Sequence, residues 1–363
     1  MEIMAAMTID SNQLHLFGSG DQIVWGMTST ERVRRMLLRD VPAGADIAPG
    51  HKLHINREYV FDPLLLRLAM ARANTAFYFG DDLVIGQLPD TGAPSEHIDL
   101  ATAPGFYNEK LRKTETPFAI RLTPQTRYQI ERASYFGAYK GVTDLLTKYL
   151  WPELAFHLTR LAAALKMTPN MVTGIGAILC VLATILFYQG AFWQGVAAGF
   201  GFMVLDTVDG KLARCTITSS KWGNVFDHGI DLVHPPFWWY AWGVGLSKVG
   251  LALAPMTFAA IMAAIVVGYV LQRLCEGIFL KYAGMDMHVW RPFDSWFRLI
   301  TARRNPNMVI LVASLIAGRP DLGLVAIAWW TILSLGVHVV QVVQLIVARK
   351  AGRSITSWLE QPR

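Results

Sequence analysis

The chain has 363 residues, 53% of them hydrophobic, and a formal net charge of +6. Its length suggests two domains. Its three cysteines, Cys180, Cys215 and Cys275, form no C-x-x-C pair, which argues against a disulfide framework or a cysteine zinc site. The basic residues cluster beside apolar runs, which fits a membrane face and argues against nucleic acid as a partner.

The chain starts without a basic segment followed by an apolar one, so it reads as having no signal peptide. Residues 1–137 read as a small α/β cytoplasmic domain. QLHLFG (13–18), FYFG (77–80), LVIGQL (83–88) and FAIRL (118–122) have strand character. TSTERVRRMLLRD (28–40) opens with cap residues and puts Val33, Met36 and Leu37 on one helical face. FDPLLLRLAMARA (61–73) predicts a second helix, capped by Asp62 with Pro63 at its first position. TPQTRYQIERASYF (123–136) predicts a third, and Asp81–Asp82 reads as a turn between strands.

Residues 138–350 differ in character. The stretch 138–166 reads as an amphipathic helix at the membrane interface or as a plain interdomain helix, broken or kinked at Pro152. Six apolar spans follow, near 170–188, 193–213, 222–247, 252–278, 307–318 and 321–347; the fifth is short. The expected fold is therefore an all-α polytopic membrane domain of six transmembrane helices, with a juxtamembrane amphipathic helix and a small α/β domain before it. The strongly basic segments, at Lys211, Arg214 and Lys221, at Arg291 to Arg304, and at Arg349 to Arg353, fall on one side of the membrane. Both termini are therefore expected in the cytoplasm, with residues 351–363 as a tail.

Residues 206–231 read DTVDGKLARCTITSSKWGNVFDHGID. Asp206 and Asp209 are three apart and Asp227 and Asp231 four apart, so each pair shares a helical face. Lone carboxylates at membrane depth cost about 2.5–3.5 kcal/mol each, and four together repel one another. Arg214 or Lys211 could neutralise one or two, but the cluster calls for cations. Hard oxygen ligands suit Mg²⁺ or Mn²⁺, and two such ions can clamp a diphosphate. The alternative is an ion or proton pathway built on the same carboxylates. Gly210, Ala213 and Gly223 lie within a turn of the aspartates, where small side chains allow close approach of a helix or a ligand. Arg303 and Arg304 either hold a phosphate, as arginine forks do, or anchor their segment at anionic headgroups. His228 and His234 flank Asp231, and Trp238, Trp239 and Tyr240 read as helix packing.

The pattern D-x-x-D-G-x-x-A-R-x8-G-x-x-x-D-x-x-x-D resembles the signature of the CDP-alcohol phosphotransferase family at Asp206, Asp209, Gly210, Ala213, Arg214, Gly223, Asp227 and Asp231. The resemblance extends over about residues 140–350 and includes TPNMVT (168–173) at the start of the first span. It implies that Asp206, Asp209 and Asp227, helped by Asp231, bind two divalent metals, and that Asp231 is the catalytic base for an acceptor hydroxyl. It also implies a CDP pocket at Gly210, Ala213, Arg214 and Gly223, and a homodimer. The implied reaction moves a substituted phosphate from a CDP-alcohol, expected to be CDP-diacylglycerol, to an alcohol acceptor and releases CMP. Alternatives are a soluble donor such as CDP-inositol or, in another class, a transporter. VWGMTSTERVRRML faintly resembles the nucleotidyltransferase domains that precede some family members. The glycine-rich phosphate loop is missing, so a degenerate domain with a structural or regulatory role is expected.

Overall fold

The computed structural model describes residues 11–20, 22–41, 46–218 and 221–360; the side chains at 11, 221–228, 230 and 231 lie outside the description. Two compact units emerge. One comprises Met1–Lys140, Leu158–Thr168 and Gly210–Ser219, and the other Gly141–His157, Pro169–Asp209 and Ser220–Arg363.

In the first unit the elements run β1 (Leu14–Phe17), β2 (Ile23–Val24), β3 (Met27–Thr28), α1 (Ser29–Asp40), β4 (His51–Asn56), β5 (Tyr59–Phe61), α2 (Pro63–Ala71), β6 (Thr75–Phe79), β7 (Asp82–Pro89), β8 (Glu96–Asp99), β9 (Phe106–Asn108), β10 (Lys113–Glu115), β11 (Ala119–Arg121) and α3 (Arg127–Gly137). Five strands form one mixed sheet in the order β1-β4-β7-β6-β8. Among the described residues only β1–β4 and β6–β8 pair in parallel.

The expected caps form. Thr28 Oγ1 accepts from the Glu31 amide, and Asp62 Oδ1 accepts from the Leu64 amide at 2.8 Å with Pro63 next in line. Asp81 sits in the turn joining β6 to β7, where Gly80 takes a positive φ of 60°. Strand β4 was not among the sequence-predicted strands. It alternates as the pleat requires, with Leu53 and Ile55 buried and Lys52 and His54 less so. These residues join Val33, Met36, Leu37, Leu65, Phe77 and Ile85 in the unit's core.

The stretch 138–166 is not one helix. A π-helical turn spans Leu146–Leu150, and α4 (Pro152–Ala164) starts afresh. Pro152 stands at the first position of that helix, where its missing N–H is no loss, so it begins a helix instead of kinking one.

The remaining helices are α5 (Pro169–Tyr188), α6 (Phe192–Cys215), α7 (Lys221–Gly245), α8 (Pro255–Ala283), α9 (Pro292–Phe297), α10 (Arg304–Ile316) and α11 (Pro320–Lys350). Among the described residues α5, α8 and α11 are long and apolar enough to cross a membrane. These three helices mark an integral membrane protein.

In the second unit α5 packs on α7, and α8 and α10 pack on α11. Trp238 and Trp242 are fully buried, and their indole N–H groups donate to the carbonyls of Cys180 and Pro320, each at 3.1 Å. Tyr240, in contrast, is exposed. Gly268 lets α8 approach α11: a Cβ there would lie 2.6 Å from the Thr331 methyl.

Candidate active site

Helix α6 carries Asp206 and Asp209 three residues apart, hence on one face. Asp209 is 3% exposed. Its Oδ2 accepts from the Thr173 hydroxyl at 2.6 Å, a residue on the first turns of α5. Asp206 is half-buried, and its Oδ2 accepts from Arg304 Nη2 at 2.7 Å. Arg304 also lies over the Phe202 ring.

Arg304 is itself held in place. Its Nε donates to Asn305 Oδ1 at 2.9 Å, while Asn305 Nδ2 donates to Asp144 Oδ1 at 3.0 Å. Asp144 also accepts from the Thr147 amide and hydroxyl. Burial pushes the Asp144 carboxyl up, but Arg298 and the hydrogen bonds from Asn305 and Thr147 outweigh it and hold the group below its usual range. An ordered series of contacts thus runs from Asp144 through Asn305 and Arg304 to Asp206. Asp144, Thr173 and Asn305 were missed as site residues in the sequence. TPNMVT had marked the position of Thr173 but not its partner.

The two consecutive arginines diverge. Arg303 Nη2 makes a short ion pair with Glu276 Oε1, whose other oxygen accepts from Arg273 Nη1 at 3.1 Å. Both Arg303 and Arg304 line a cavity with Pro235, Trp239, Tyr269 and Asn307.

Among the described residues, ligand atoms of Glu276, His288 and His338 lie within 4.8 Å of one another, a spacing that could suit a metal. Arg303 Nη2, however, already sits on Glu276 and 3.5 Å from His288 Nε2. With Arg273 on its other oxygen, Glu276 has a guanidinium on each carboxylate oxygen, so these side chains form an ion-pair network.

Lys211 is 2% exposed, and its Nζ lies 3.0 Å from the centroid of the Tyr139 ring. A Cβ on Gly210 would meet Arg214 Nη2 at 3.2 Å, so the Arg214 side chain folds back across that glycine. Ala213 is half-buried, and its carbonyl accepts from the Thr218 amide. His234 packs edge-on against Phe202 and Trp238. Gly223, Asp227, His228 and Asp231 lie in the first turns of α7, but their side chains are outside the described residues.

The donor set on α6 is hard carboxylate oxygen, and Asp209 is buried with one oxygen oriented by a hydroxyl. Both features fit a Mg²⁺- or Mn²⁺-type ion. Thr173→Val keeps the shape and removes that hydroxyl. It is expected to lower turnover by about 10–100-fold, as loss of a group orienting a metal ligand does. Steady-state rates at saturating divalent ion check this; an unchanged rate would show that the contact is incidental.

Residues 166–302 match the model of the CDP-alcohol phosphatidyltransferase family. Over this stretch the chain is similar to that family. Cholinephosphotransferase 1 of Xenopus laevis is 32% identical over 123 residues, 31% of this chain and 29% of that protein. Archaetidylinositol phosphate synthase of Pyrococcus horikoshii is 33% identical over 108 residues, 30% and 55% of the two chains. Phosphatidylinositol phosphate synthase of Cutibacterium acnes is 42% identical over 82 residues, 22% and 40%. The matched stretches thus span between about a third and just over half of these relatives. The crystal structure of Mycobacterium tuberculosis phosphatidylinositol phosphate synthase with CDP-DAG bound aligns at 16% identity and a TM-score of 0.39, covering 52% of this chain and 93% of that one. That likeness is too distant to carry an argument.

Proposed function

We propose that the chain is a metal-dependent transferase that moves a substituted phosphate from a CDP-alcohol, CDP-diacylglycerol by preference, to an alcohol acceptor. The observation that carries this reading is the pair Asp206 and Asp209 on one face of α6, oriented by Arg304 and Thr173, inside the family's signature. Asp206, Asp209, Asp227 and Asp231 would hold two Mg²⁺ or Mn²⁺ ions, which supply charge neutralisation for the diphosphate. Gly210, Ala213, Arg214 and Gly223 would line the CDP pocket. In this reading the acceptor oxygen attacks the phosphorus that bears the donor alcohol. Asp231 takes the hydroxyl proton, the bond to the CMP oxygen breaks, and CMP leaves. Arg303 and Arg304, which share a cavity, would face the phosphate of the acceptor or of a lipid.

The same proposal includes six crossings by α5, α6, α7, α8, α10 and α11, with both termini cytoplasmic and a homodimer in the membrane. The basic residues at Lys211 to Lys221, Arg291 to Arg304 and Arg349 to Arg353 support that orientation. The domain boundaries follow as 1–137, 138–350 and a tail at 351–363. The first domain is then a degenerate nucleotidyltransferase-like fold that makes no CDP-alcohol of its own.

Release of CMP from CDP-diacylglycerol by the purified protein, with an acceptor alcohol present, tests the proposal. EDTA should abolish the release, and added Mg²⁺ or Mn²⁺ should restore it. Metal-dependent release only from a soluble CDP-alcohol would replace the donor. No release from any CDP-alcohol would sink the transferase reading.

A further inference from the structure

The ten residues after Asp209 fold with the N-terminal unit. Helix α6 ends at Cys215, and its last carbonyls need partners from outside the helix. Arg32 and Arg35, one turn apart on α1, supply two. Arg32 Nη1 donates to the Cys215 carbonyl at 3.3 Å, and Arg35 Nη1 donates to the Thr216 carbonyl at 2.8 Å. Cations at a helix C-terminus also complement its dipole. Glu31 accepts from Arg35 Nε at 2.6 Å and so aims that guanidinium. Arg32 is 5% exposed, and burial draws it down to about 10, so it stays charged at neutral pH.

The turn beyond the helix is unusual. The Thr218 amide donates to the Ala213 carbonyl at 2.9 Å, and Ile217 between them has a φ of +55°. This is the Schellman stop, whose left-handed position is normally glycine. A β-branched residue there is a steric outlier. Ile217 is nevertheless 5% exposed and belongs to the same core as Val33, Met36 and Leu37 of α1. Strain at one residue persists where surrounding structure over-determines it. Here two arginines grip the helix end, and an isoleucine in the wrong backbone region is seated in the N-terminal core.

We propose that the N-terminal domain is a clamp on the transferase motif: Arg32 and Arg35 are positioning residues and Ile217 is the plug that holds the end of the first aspartate helix. Gly210, Ala213 and Arg214 lie in the clamped segment. The clamp therefore sets the affinity for the CDP donor and leaves the acceptor alone, which rests on the functional reading above. It gives a domain without a phosphate loop a task that needs no catalysis.

The test uses the full chain in nanodiscs. Ile217→Gly removes both the backbone strain and the plug, and Arg32→Ala/Arg35→Ala removes the grip. Amide hydrogen exchange at residues 210–218 is expected to rise about tenfold in both, the effect of losing about 1.4 kcal/mol of local stability. Exchange in α8 and α11, which contribute nothing to the N-terminal core, should stay unchanged. The donor KM should rise several-fold with the acceptor KM unchanged, and Arg35→Lys should recover part of the loss. Unchanged exchange at 210–218 overturns the clamp whether or not the protein releases CMP. If Ile217→Gly instead protects the segment and leaves the donor KM intact, Ile217 is strain only and the plug is wrong. A fall in kcat with both KM values unchanged would show a merely structural role and overturn the effect on the donor.

Discussion

Asp209→Asn should reduce CMP release by at least about 100-fold, the upper end of what loss of a group orienting a metal ligand costs. The substitution keeps the shape and removes one negative charge and one hard oxygen acceptor at a site that is 3% exposed. Water cannot easily replace that oxygen at such a position. The concentration of divalent ion giving half-maximal rate should rise as well, because the lost charge is one the cations would neutralise. Asp231→Asn should also abolish turnover but leave donor binding largely intact, since its proposed task is to take a proton. Rates against Mg²⁺ or Mn²⁺ concentration, together with equilibrium binding of the donor, separate the two. Equal loss of donor binding in both variants would show that the roles of base and metal ligand are not divided in this way.

The largest effect on stability is expected from Glu276→Ala. Glu276 stands between Arg273 and Arg303, one guanidinium on each carboxylate oxygen, with His288 Nε2 3.8 Å away. The three charged side chains are only 20–27% exposed. Removing the carboxylate leaves two cations facing each other with little water, and breaking a buried pair from one side costs about 3–5 kcal/mol. Partial exposure places the expected loss near the lower figure. Thermal unfolding of the purified protein in detergent measures it. Glu276→Gln should fall between Ala and the native residue, because it keeps an acceptor and loses the charge. A melting temperature for Glu276→Ala within error of the native protein would show that solvent screens the arginines.

Much of the fold was legible because its signals are local. The caps at Thr28 and Asp62 follow from one residue type placed next to an apolar periodicity, and both form as read. The apolar runs predicted α5, α8 and α11 because a bilayer sets a length that composition reveals. Strand β4 escaped because HKLHIN alternates with histidine and lysine outward, which weakens the apolar signal without removing it. Over 138–166 the break at Pro152 was legible from proline chemistry, but the π-helical turn before it was not, because amphipathic spacing survives across such a turn.

By itself the sequence determined how each aspartate pair is phased, because a spacing of three or four on a helix is decided by backbone geometry. The partners of those residues were decided by tertiary structure alone. Thr173 reaches Asp209 across 36 positions and Arg304 reaches Asp206 across 98. Arg303 and Arg304 read identically in sequence, yet one serves Glu276 and the other Asp206. Arg303 is the extended cap residue and Arg304 the first residue of α10, so their side chains leave in different directions, and only the packing of neighbouring helices settles what each one meets.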